Sequence, residues 1–424
     1  MSSDVAIISL GCPRNLVDSE SILATLRKKN IRIVELNEAQ VVIVNTCAFI
    51  KEAKQESIQT ILHLLDLKKQ GQIKKIIVYG CLPQRYKDEL RGALEGVDAF
   101  IGRISLDEQH SIHHRLTEKH YAYIKISEGC GNQCSYCIIP SVKGPLVSRV
   151  QSSIVDQVRA LDAHGVKEII LVGQDISLYG VDACKQQMLA ALVRDIVKNM
   201  HTIQWLRLLY LHPAHCSDEL IELVASEKRI CKYIDLPIQH INDRILHLMN
   251  RTIQRKAIEA LIRKIRAMIP NVALRTSVIV GFPSETEEEF QELLDFIKDI
   301  QFERLGAFMY SREEGTKAFD FKGHLHHKTK QSRFDRLMRL QREISAQVNQ
   351  RLRGSIHDCI IDGNADGDHD VFMGRLQQDA PEVDGSVYVH STRPLTQGQI
   401  LAVKIIDTLE YDLVAEPLEL ERKK

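Results

Sequence analysis

Three cysteines, Cys130, Cys134 and Cys137, form the compact run CxxxCxxC in the first half of the chain. Three thiolates at this spacing can bind three irons of a 4Fe-4S cube and leave the fourth iron without a protein ligand. Electron-transfer clusters usually close every iron with cysteine, so this run predicts a cluster whose open iron binds a small molecule. A zinc site and three buried thiols are the alternatives. Zinc sites prefer paired CxxC hooks, so the spacing favours the iron-sulfur cluster.

A second set of three cysteines follows three predicted strands at one fixed distance. The strands are Val5–Leu10, Val41–Asn45 and Lys74–Tyr79. The cysteines come two residues after each strand end, at Cys12, Cys47 and Cys81. Carboxyl ends of parallel strands lie along one edge of an α/β sheet, where ligands bind. The repeated offset therefore predicts that these cysteines converge and hold a second cluster. Burial as three separate small side chains is the alternative, since free cysteine is often buried.

Strands and helices alternate again between Tyr121 and about Gln350. Six strands are predicted, at Tyr121–Ile126, Glu168–Val172, Trp205–Tyr210, Tyr233–Pro237, Val272–Val280 and Arg304–Phe308. This pattern indicates a partial barrel whose active mouth lies where the strands end. The Cys130 run follows the first of these strands and so belongs at the mouth. Further candidates for cofactor or substrate binding, or for ordinary capping of the barrel, are Gln174, Asp175, Arg275 and Gly281.

After Ser355 the sequence changes to short apolar runs separated by Gly, Pro and Asp turns, which predict a small β-barrel. Its readable strands are Asp358–Asp362, Val387–His390, Ile400–Ile406 and Tyr411–Ala415. Residues 355–424 carry 14 acidic and 6 basic side chains, a formal charge of −8. Nucleic-acid affinity depends on neutralising phosphate, so this segment should repel RNA and attract a basic protein.

The length of 424 residues suits about three domains. The fold class predicted is α/β, with a parallel-sheet domain at 1–110, a partial (β/α) barrel at 118–352 and a β-barrel at 355–424. The 56 basic and 56 acidic residues cancel, so no global field attracts nucleic acid. The first residues lack a basic leader, and no apolar run is long enough for a bilayer. We therefore expect a cytoplasmic protein with no membrane partner, where free thiols persist.

Two other groups of residues receive a structural interpretation. The remaining cysteines share neither spacing nor strand offset; they are Cys184, Cys216, Cys231 and Cys359. The stretch His324-Leu-His-His327 precedes a predicted amphipathic helix from Lys330 to Arg353. A clustered-histidine metal site is possible there, but the polar surroundings favour an exposed linker.

Tyr136, directly before Cys137, completes a run that resembles the CxxxCxΦC motif of the radical S-adenosylmethionine superfamily. The whole chain is similar to the radical S-adenosylmethionine methylthiotransferases, which join an N-terminal cluster domain, a radical barrel and a C-terminal TRAM barrel. Gly11-Cys-Pro-Arg-Asn15 resembles the branch that modifies a ribosomal protein, whereas the transfer-RNA branch typically has Gly-Cys-Gln-Met-Asn.

Three further segments are similar to the ribosomal branch: Cys137-Ile-Ile-Pro-Ser141, Leu236-Pro-Ile-Gln-His240 and Tyr411-Asp-Leu-Val-Ala-Glu416. One segment departs from it. Val172-Gly-Gln-Asp175 has a glycine that is typical of the transfer-RNA branch, where the ribosomal branch more often has serine.

The resemblance implies methylthiolation of the β-carbon of one aspartate in ribosomal small-subunit protein twelve. That carbon has an unactivated C–H bond that no acid or base could break at neutral pH, so a cofactor must supply a radical. The family assigns S-adenosylmethionine cleavage to the Cys130, Cys134 and Cys137 cluster. It assigns sulfur delivery to the other cluster, and methylation of that sulfur to a second S-adenosylmethionine.

The resemblance also implies two partners that the sequence does not identify, a low-potential electron donor and a sulfur donor. Two other functions stay open. A transfer-RNA adenosine methylthiotransferase would be supported by a basic C-terminal barrel, and the acidic charge makes transfer RNA an unfavourable partner. A non-catalytic iron-sulfur redox or binding protein would not cleave S-adenosylmethionine.

Overall fold

The computed structural model describes residues 4–102, 115–365, 367 and 369–418. Its first part is a parallel four-stranded sheet with the strands in sequence order, β1 (Val5–Ser9), β2 (Val41–Thr46), β3 (Lys75–Gly80) and β4 (Ala99–Ile101). The helices are α1 (Pro13–Lys28), α2 (Lys51–Lys69) and α3 (Cys81–Ala93). The three predicted strands are confirmed, and the missed β4 is too short to show a pattern. The predicted boundary at residue 110 lies outside the described residues.

The second part contains two three-stranded parallel sheets, ordered β5-β8-β9 and β10-β11-β12. Their strands are β5 (Tyr121–Lys125), β8 (Glu168–Val172), β9 (Trp205–Leu208), β10 (Tyr233–Asp235), β11 (Ala273–Val280) and β12 (Arg304–Met309). The backbone joins the two sheets, because Leu211 N–H donates to Asp235 O at 3.0 Å. The prediction of a six-stranded partial barrel is confirmed. A short hairpin after β5 was not predicted, with strands β6 (Ser127–Glu128) and β7 (Val147–Ser148).

Helices follow the strands of this part, and most of them pack on the outside of the barrel. They are α4 (Ile139–Lys143), α5 (Gln151–Ala163), α6 (Val181–Cys184), α7 (Leu189–Lys198), α8 (Asp218–Ser226), α9 (Asp243–Leu248), α10 (Arg255–Met268), α11 (Glu287–Ile300) and α12 (His327–Gln350). Alternate strand residues such as Ile124, Leu171 and Leu206 are buried against these helices, as the period of two requires. None of the described helices is both long and apolar enough to cross a membrane.

The histidine stretch before α12 has structural roles. The His326 side chain caps the helix by accepting a hydrogen bond from Lys328 N–H at 3.2 Å. The His324 ring stacks on Tyr310, with the two centroids 5.9 Å apart. These contacts agree with the linker interpretation.

The C-terminal part is a closed five-stranded barrel, in the order β13-β14-β15-β17-β16. Its strands are β13 (Ile356–Asn364), β14 (Val371–Leu376), β15 (Val387–His390), β16 (Ile400–Thr408) and β17 (Leu413–Pro417). The four predicted strands are confirmed. Strand β14 was missed because Gly374 and Arg375 interrupt its apolar pattern. Arg375 is nevertheless buried, since it pairs with Glu168 at 2.8 Å and with Asp362 at 2.9 Å.

This C-terminal barrel docks at the amino ends of the central strands, opposite the predicted mouth. Glu168, the first residue of β8, accepts hydrogen bonds from Arg207 at 2.7 Å and from Arg375. Burial raises the pKa of Glu168, but the charges of Arg375 and Arg207 outweigh it, and the net direction is down. Tyr233, the first residue of β10, donates to Asp384 at 2.7 Å. These contacts fix the second barrel to the first.

Ion pairs also hold the N-terminal domain against the mouth of the central barrel. Asp18 of α1 pairs with Lys125, the last residue of β5, and with Lys143 at 3.0 Å. On another side, the Glu313 carboxylate accepts hydrogen bonds from Lys54 at 2.7 Å and Arg85 at 2.8 Å. Breaking a buried pair leaves an uncompensated charge, so these contacts resist separation of the domains.

Candidate functional site

Cys12, Cys47 and Cys81 lie together at the carboxyl ends of the first three strands. The amide of Asn15 links them, because its nitrogen donates to Leu10 O at 3.0 Å and its oxygen lies 3.9 Å from Cys81 Sγ. A hypothetical Cβ on Gly11, where φ is +90°, would lie 2.7 Å from Cys47 Cβ. Glycine is therefore required for this close approach.

The pKa values of these three thiols depend on burial, on one another and on nearby cations. Burial raises the pKa of Cys81 to about 12, Lys143 opposes that rise, and Cys47 and Cys12 add to it. Burial also raises the pKa of Cys12, yet the Arg14 charge and hydrogen bond outweigh it, and the net direction is down. All ten cysteines are free of disulfides. Three converging free thiols are a donor set that fits an iron-sulfur cluster.

Cys130, Cys134 and Cys137 lie on one loop between the hairpin strand β6 and α4. The loop turns back sharply at Gly129, where φ is +71° and a Cβ would overlap the carbonyl oxygen of Pro145. Cys137 N–H donates to Cys134 O at 3.1 Å, which keeps the last turn tight. Burial raises the pKa of Cys137 to about 12, and the charges of Cys134 and Cys130 contribute to the rise. This donor set also fits a cluster.

Polar groups support the sulfur atoms of this loop. Asn132 N–H donates to Cys130 Sγ at 3.4 Å, and Arg251 Nη1 lies 3.9 Å from Cys134 Sγ. Donors to cluster sulfurs are one of the levers by which a protein tunes such a cluster. Beside the loop lies a cavity of about 700 Å³, lined in part by Asn132, Cys134 and Leu178. Its size is in the range of pockets that bind small cofactors.

Asp175 is fixed at the edge of this cavity. Its Oδ2 accepts a hydrogen bond from Asn132 Nδ2 at 2.7 Å and lies 2.9 Å from His215 Nδ1. Its Oδ1 accepts from Ser177 N–H at 3.0 Å. Burial raises the pKa of Asp175, but the hydrogen bonds from His215 and Asn132 help to outweigh it, and the net direction is down. The buried Asp175 carboxylate therefore fixes Asn132 and His215, which line the cavity.

Asp175, His212 and His215 bring their ligand atoms within 4.8 Å of one another, which suggests a metal site among the described residues. The hydrogen bonds argue against it. His212 Nδ1 accepts from Ala214 N–H at 3.1 Å, so its proton is on Nε2 and no lone pair remains. Burial lowers the pKa of His212 to about 3, and its neutral ring stacks on His215 at 4.5 Å. The histidines position Asp175 instead.

The other three candidates lie in different surroundings. Within the described chain, the buried Gln174 Oε1 has no hydrogen-bond partner, so it is available to a ligand donor. Arg275 pairs with Asp235 at 3.0 Å and lies 3.6 Å from Asp384 of the C-terminal barrel. A Cβ on Gly281 would overlap the Lys330 side chain, so this glycine serves the approach of α12. None of the four candidates, Gln174, Asp175, Arg275 and Gly281, is among the residues that line the cavity.

The residue that joins the two cysteine sets, Arg14, was not predicted. Its Nε donates to Cys12 Sγ at 3.4 Å, and its Nη1 donates to Gly173 O at 3.1 Å. Its guanidinium lies 4.6 Å from the ring centroid of Tyr210. Its charge also lowers the pKa of Cys137, against the larger effect of burial. Arg14 lies inside the Gly11-Cys-Pro-Arg-Asn15 segment that resembles the ribosomal branch, which is the signal that could have marked it. Its role could not be worked out from the sequence, because every one of these contacts except Cys12 is distant along the chain.

Three family models match the chain, each over a different segment. The Uncharacterized protein family UPF0004 matches residues 4–102, the Radical SAM superfamily matches residues 124–297, and the TRAM domain matches residues 354–418. The first two segments contain the two cysteine sets.

Curated relatives match over almost their whole length. The chain is 41% identical to ribosomal protein uS12 methylthiotransferase RimO of Acetivibrio thermocellus, covering 98% of each protein. It is 42% identical to the protein of that name from Geobacter sulfurreducens, covering 97% of this chain and 98% of the relative. Among solved structures, the radical S-adenosylmethionine methyltransferase TsrM from Kitasatospora setae shares the fold at a TM-score of 0.54 and 15% identity, covering 87% of this chain and 82% of TsrM.

Proposed function

The chain belongs to the RimO family of ribosomal protein uS12 methylthiotransferases, and we propose that its two cysteine triads hold the 4Fe-4S clusters of that reaction. The enzyme methylthiolates the β-carbon of an aspartate in uS12, the ribosomal small-subunit protein twelve, by radical S-adenosylmethionine chemistry. The observation that carries the assignment of the ligands is the pair of free cysteine triads, one at the carboxyl ends of the first three strands and one on the loop between β6 and α4.

In this proposal Cys130, Cys134 and Cys137 hold the cluster that, once reduced, cleaves S-adenosylmethionine and so supplies the radical. Cys12, Cys47 and Cys81 hold the auxiliary cluster associated with sulfur insertion. Asp175 holds Asn132 and His215, two residues of the cavity wall, in position to bind S-adenosylmethionine. The loop that carries Cys130, Cys134 and Cys137 is partly buried and so limits the access of water to the radical. The cofactor supplies the reactivity, and the protein supplies this protection.

The proposal extends to the organisation and surroundings of the protein. The three domains span 1–110, 118–352 and 355–424, and modification of a ribosomal protein fits a cytoplasmic location. An electron donor of low potential and a sulfur donor are required, and both remain to be identified. Transfer RNA and membranes are not partners in this proposal. The transfer-RNA adenosine methylthiotransferase is the second candidate, and only the glycine of Val172-Gly-Gln-Asp175 favours it.

Mass spectrometry of uS12 and transfer RNA from cells with and without this chain tests the function. We expect uS12 to lose the mass of one methylthio group on deletion, while the adenosine modifications of transfer RNA persist. As the control, expression of the intact chain in the deletion cells should restore the methylthio group on uS12. Loss of a methylthio-adenosine with unchanged uS12 would replace the proposed function by the second candidate.

The C-terminal barrel yields a prediction about substrate binding. Two groups of its acids differ in their surroundings. Asp362, Asp379 and Asp384 contact His120, Arg304 and Tyr233 of the central barrel and so add little external charge. Three acids on β16, β17 and the turn between them are exposed, at Asp407, Glu410 and Glu416. Complementary charge would attract the basic uS12 through this second group.

We expect Asp407→Asn, Glu410→Gln and Glu416→Gln together to weaken uS12 binding by about tenfold at low salt and less at high salt. Formation of deoxyadenosine should not change, because this barrel docks at the strand ends opposite the cysteines. Anaerobic titrations at two salt concentrations provide the measurement. Neutralising the exposed acids Asp156, Glu219 and Glu222 is the matched control. Equal losses in both triple variants would contradict a specific role for the C-terminal barrel.

A further inference from the structure

We propose that Arg14 binds the side-chain carboxylate of the substrate aspartate and thereby selects an acidic residue for modification. This inference rests on the proposed function, and it adds the residue that determines specificity. The carbon that reacts is bonded directly to the carboxylate carbon. When the β-carbon is held between the two cysteine triads, the negatively charged carboxylate of the substrate aspartate must also lie there.

A carboxylate that leaves water needs a cation and hydrogen-bond donors, or its transfer is strongly unfavourable. Among the described residues, the cationic side chains near the triads include Arg14, Lys125, Lys143 and Arg251. Two of them are already neutralised. Lys125 and Lys143 both pair with Asp18 and with Glu128.

Arg251 and Arg14 differ in what they can offer. Arg251 is 9% exposed, donates to Pro237 O at 2.6 Å and lies against Cys134. Arg14 is partly exposed, and in the part of the chain that the structure describes it forms no ion pair with a carboxylate. Neither arginine has a carboxylate partner among the described residues, but Arg14 is the more exposed of the two, so its charge is the more accessible one for a substrate anion.

The geometry of Arg14 also suits this task. Its Nε and Nη1 are committed to Cys12 Sγ and Gly173 O, and its planar face lies on the Tyr210 ring. None of the hydrogen bonds described for Arg14 involves Nη2. Three contacts therefore hold the guanidinium in place, and two N–H groups on Nη2 remain for a carboxylate oxygen. A preorganised guanidinium loses little freedom when it binds an anion.

Tyr210 supports the arrangement through its backbone. Its φ of +66° is unusual for a residue with a side chain, and Tyr210 N–H donates to Asp235 Oδ2 at 2.9 Å. Non-glycine residues in this region persist when their surroundings hold them there, and they concentrate at functional sites. Here the strained turn presents the aromatic face on which Arg14 rests.

A double-mutant cycle separates substrate recognition from a structural role. The unaltered enzyme and its Arg14→Met variant are each reconstituted anaerobically. Each is then combined with uS12 that has either Asp or Asn at the modified position. The readout is the dissociation constant without reductant, so it does not depend on turnover. We expect the unaltered enzyme to bind the Asp form about tenfold or more tightly than the Asn form, because ionic hydrogen bonds are strong.

In Arg14→Met we expect the two forms of uS12 to bind within about twofold of each other. Arg14→Lys keeps the charge but loses the planar guanidinium, so it should retain part of the preference for aspartate. This variant replaces Arg14→Met in the test if the Met variant loses its iron. Arg85→Met is the matched control, because Arg85 also joins the N-terminal domain to the barrel but contacts no cysteine in the bonds described for it. It should keep the full preference for aspartate.

An undiminished preference in both Arg14 variants would overturn this inference, as would a matching loss in Arg85→Met. Neither result would affect the proposed function, which the unaltered enzyme tests by itself through methylthiolation of uS12. If the unaltered enzyme modified no form of uS12, the proposed function and this inference would both fail.

Discussion

Replacing Cys130, Cys134 or Cys137 by alanine should abolish the formation of deoxyadenosine from S-adenosylmethionine under reducing, anaerobic conditions. Two thiolates cannot hold a 4Fe-4S cube with a single open iron, so each substitution should have nearly the full effect of all three. The loop geometry supports this, because Cys137 N–H donates to Cys134 O and the turn at Gly129 fixes the start of the loop. The product is measured by chromatography, together with the iron content.

The matched control is Cys184→Ala, because Cys184 is exposed and shares no spacing with the loop. It should retain both iron and product. A triple variant of Cys130, Cys134 and Cys137 that still formed deoxyadenosine at the normal rate would refute the proposed radical site. Loss of product with full iron content would instead show that these cysteines are not the ligands.

The second large effect concerns the other triad. Changing Cys12, Cys47 and Cys81 together to alanine should remove about half of the iron, since one of two four-iron clusters is lost. Deoxyadenosine should still form, because the cleaving cluster is in the central barrel. Methylthiolated uS12 should be undetectable by mass spectrometry. A variant that still forms deoxyadenosine but no longer methylthiolates uS12 distinguishes this triad from Cys130, Cys134 and Cys137.

Buried thiols can also be structural, so a buried control is needed here. Cys359 is fully buried in the C-terminal barrel, and Cys359→Ala removes a thiol of similar burial from a place without other cysteines. It should keep the full iron content and the product. If the triple variant kept its iron and still modified uS12, the convergence of the three strand ends would have no role in cofactor binding.

The sequence by itself determined the architecture and both triads. Alternating apolar strands and amphipathic helices identified the parallel sheet and the partial barrel, because each repeats a local pattern set by burial. The offset of two residues between each strand end and its cysteine identified the triad of Cys12, Cys47 and Cys81. That inference needs only the rule that parallel strands end at one edge of a sheet.

The tertiary structure alone decided how the domains meet and which polar groups act at the junction. Strand β14 was missed because Arg375 occupies a buried position, and its partners Asp362 and Glu168, the second of them far away in sequence, make that burial favourable. Arg14 was missed for the same reason, since Gly173 and Tyr210 belong to another domain. The free energy of a buried charge depends on its partners, and no local pattern contains partners that are distant along the chain.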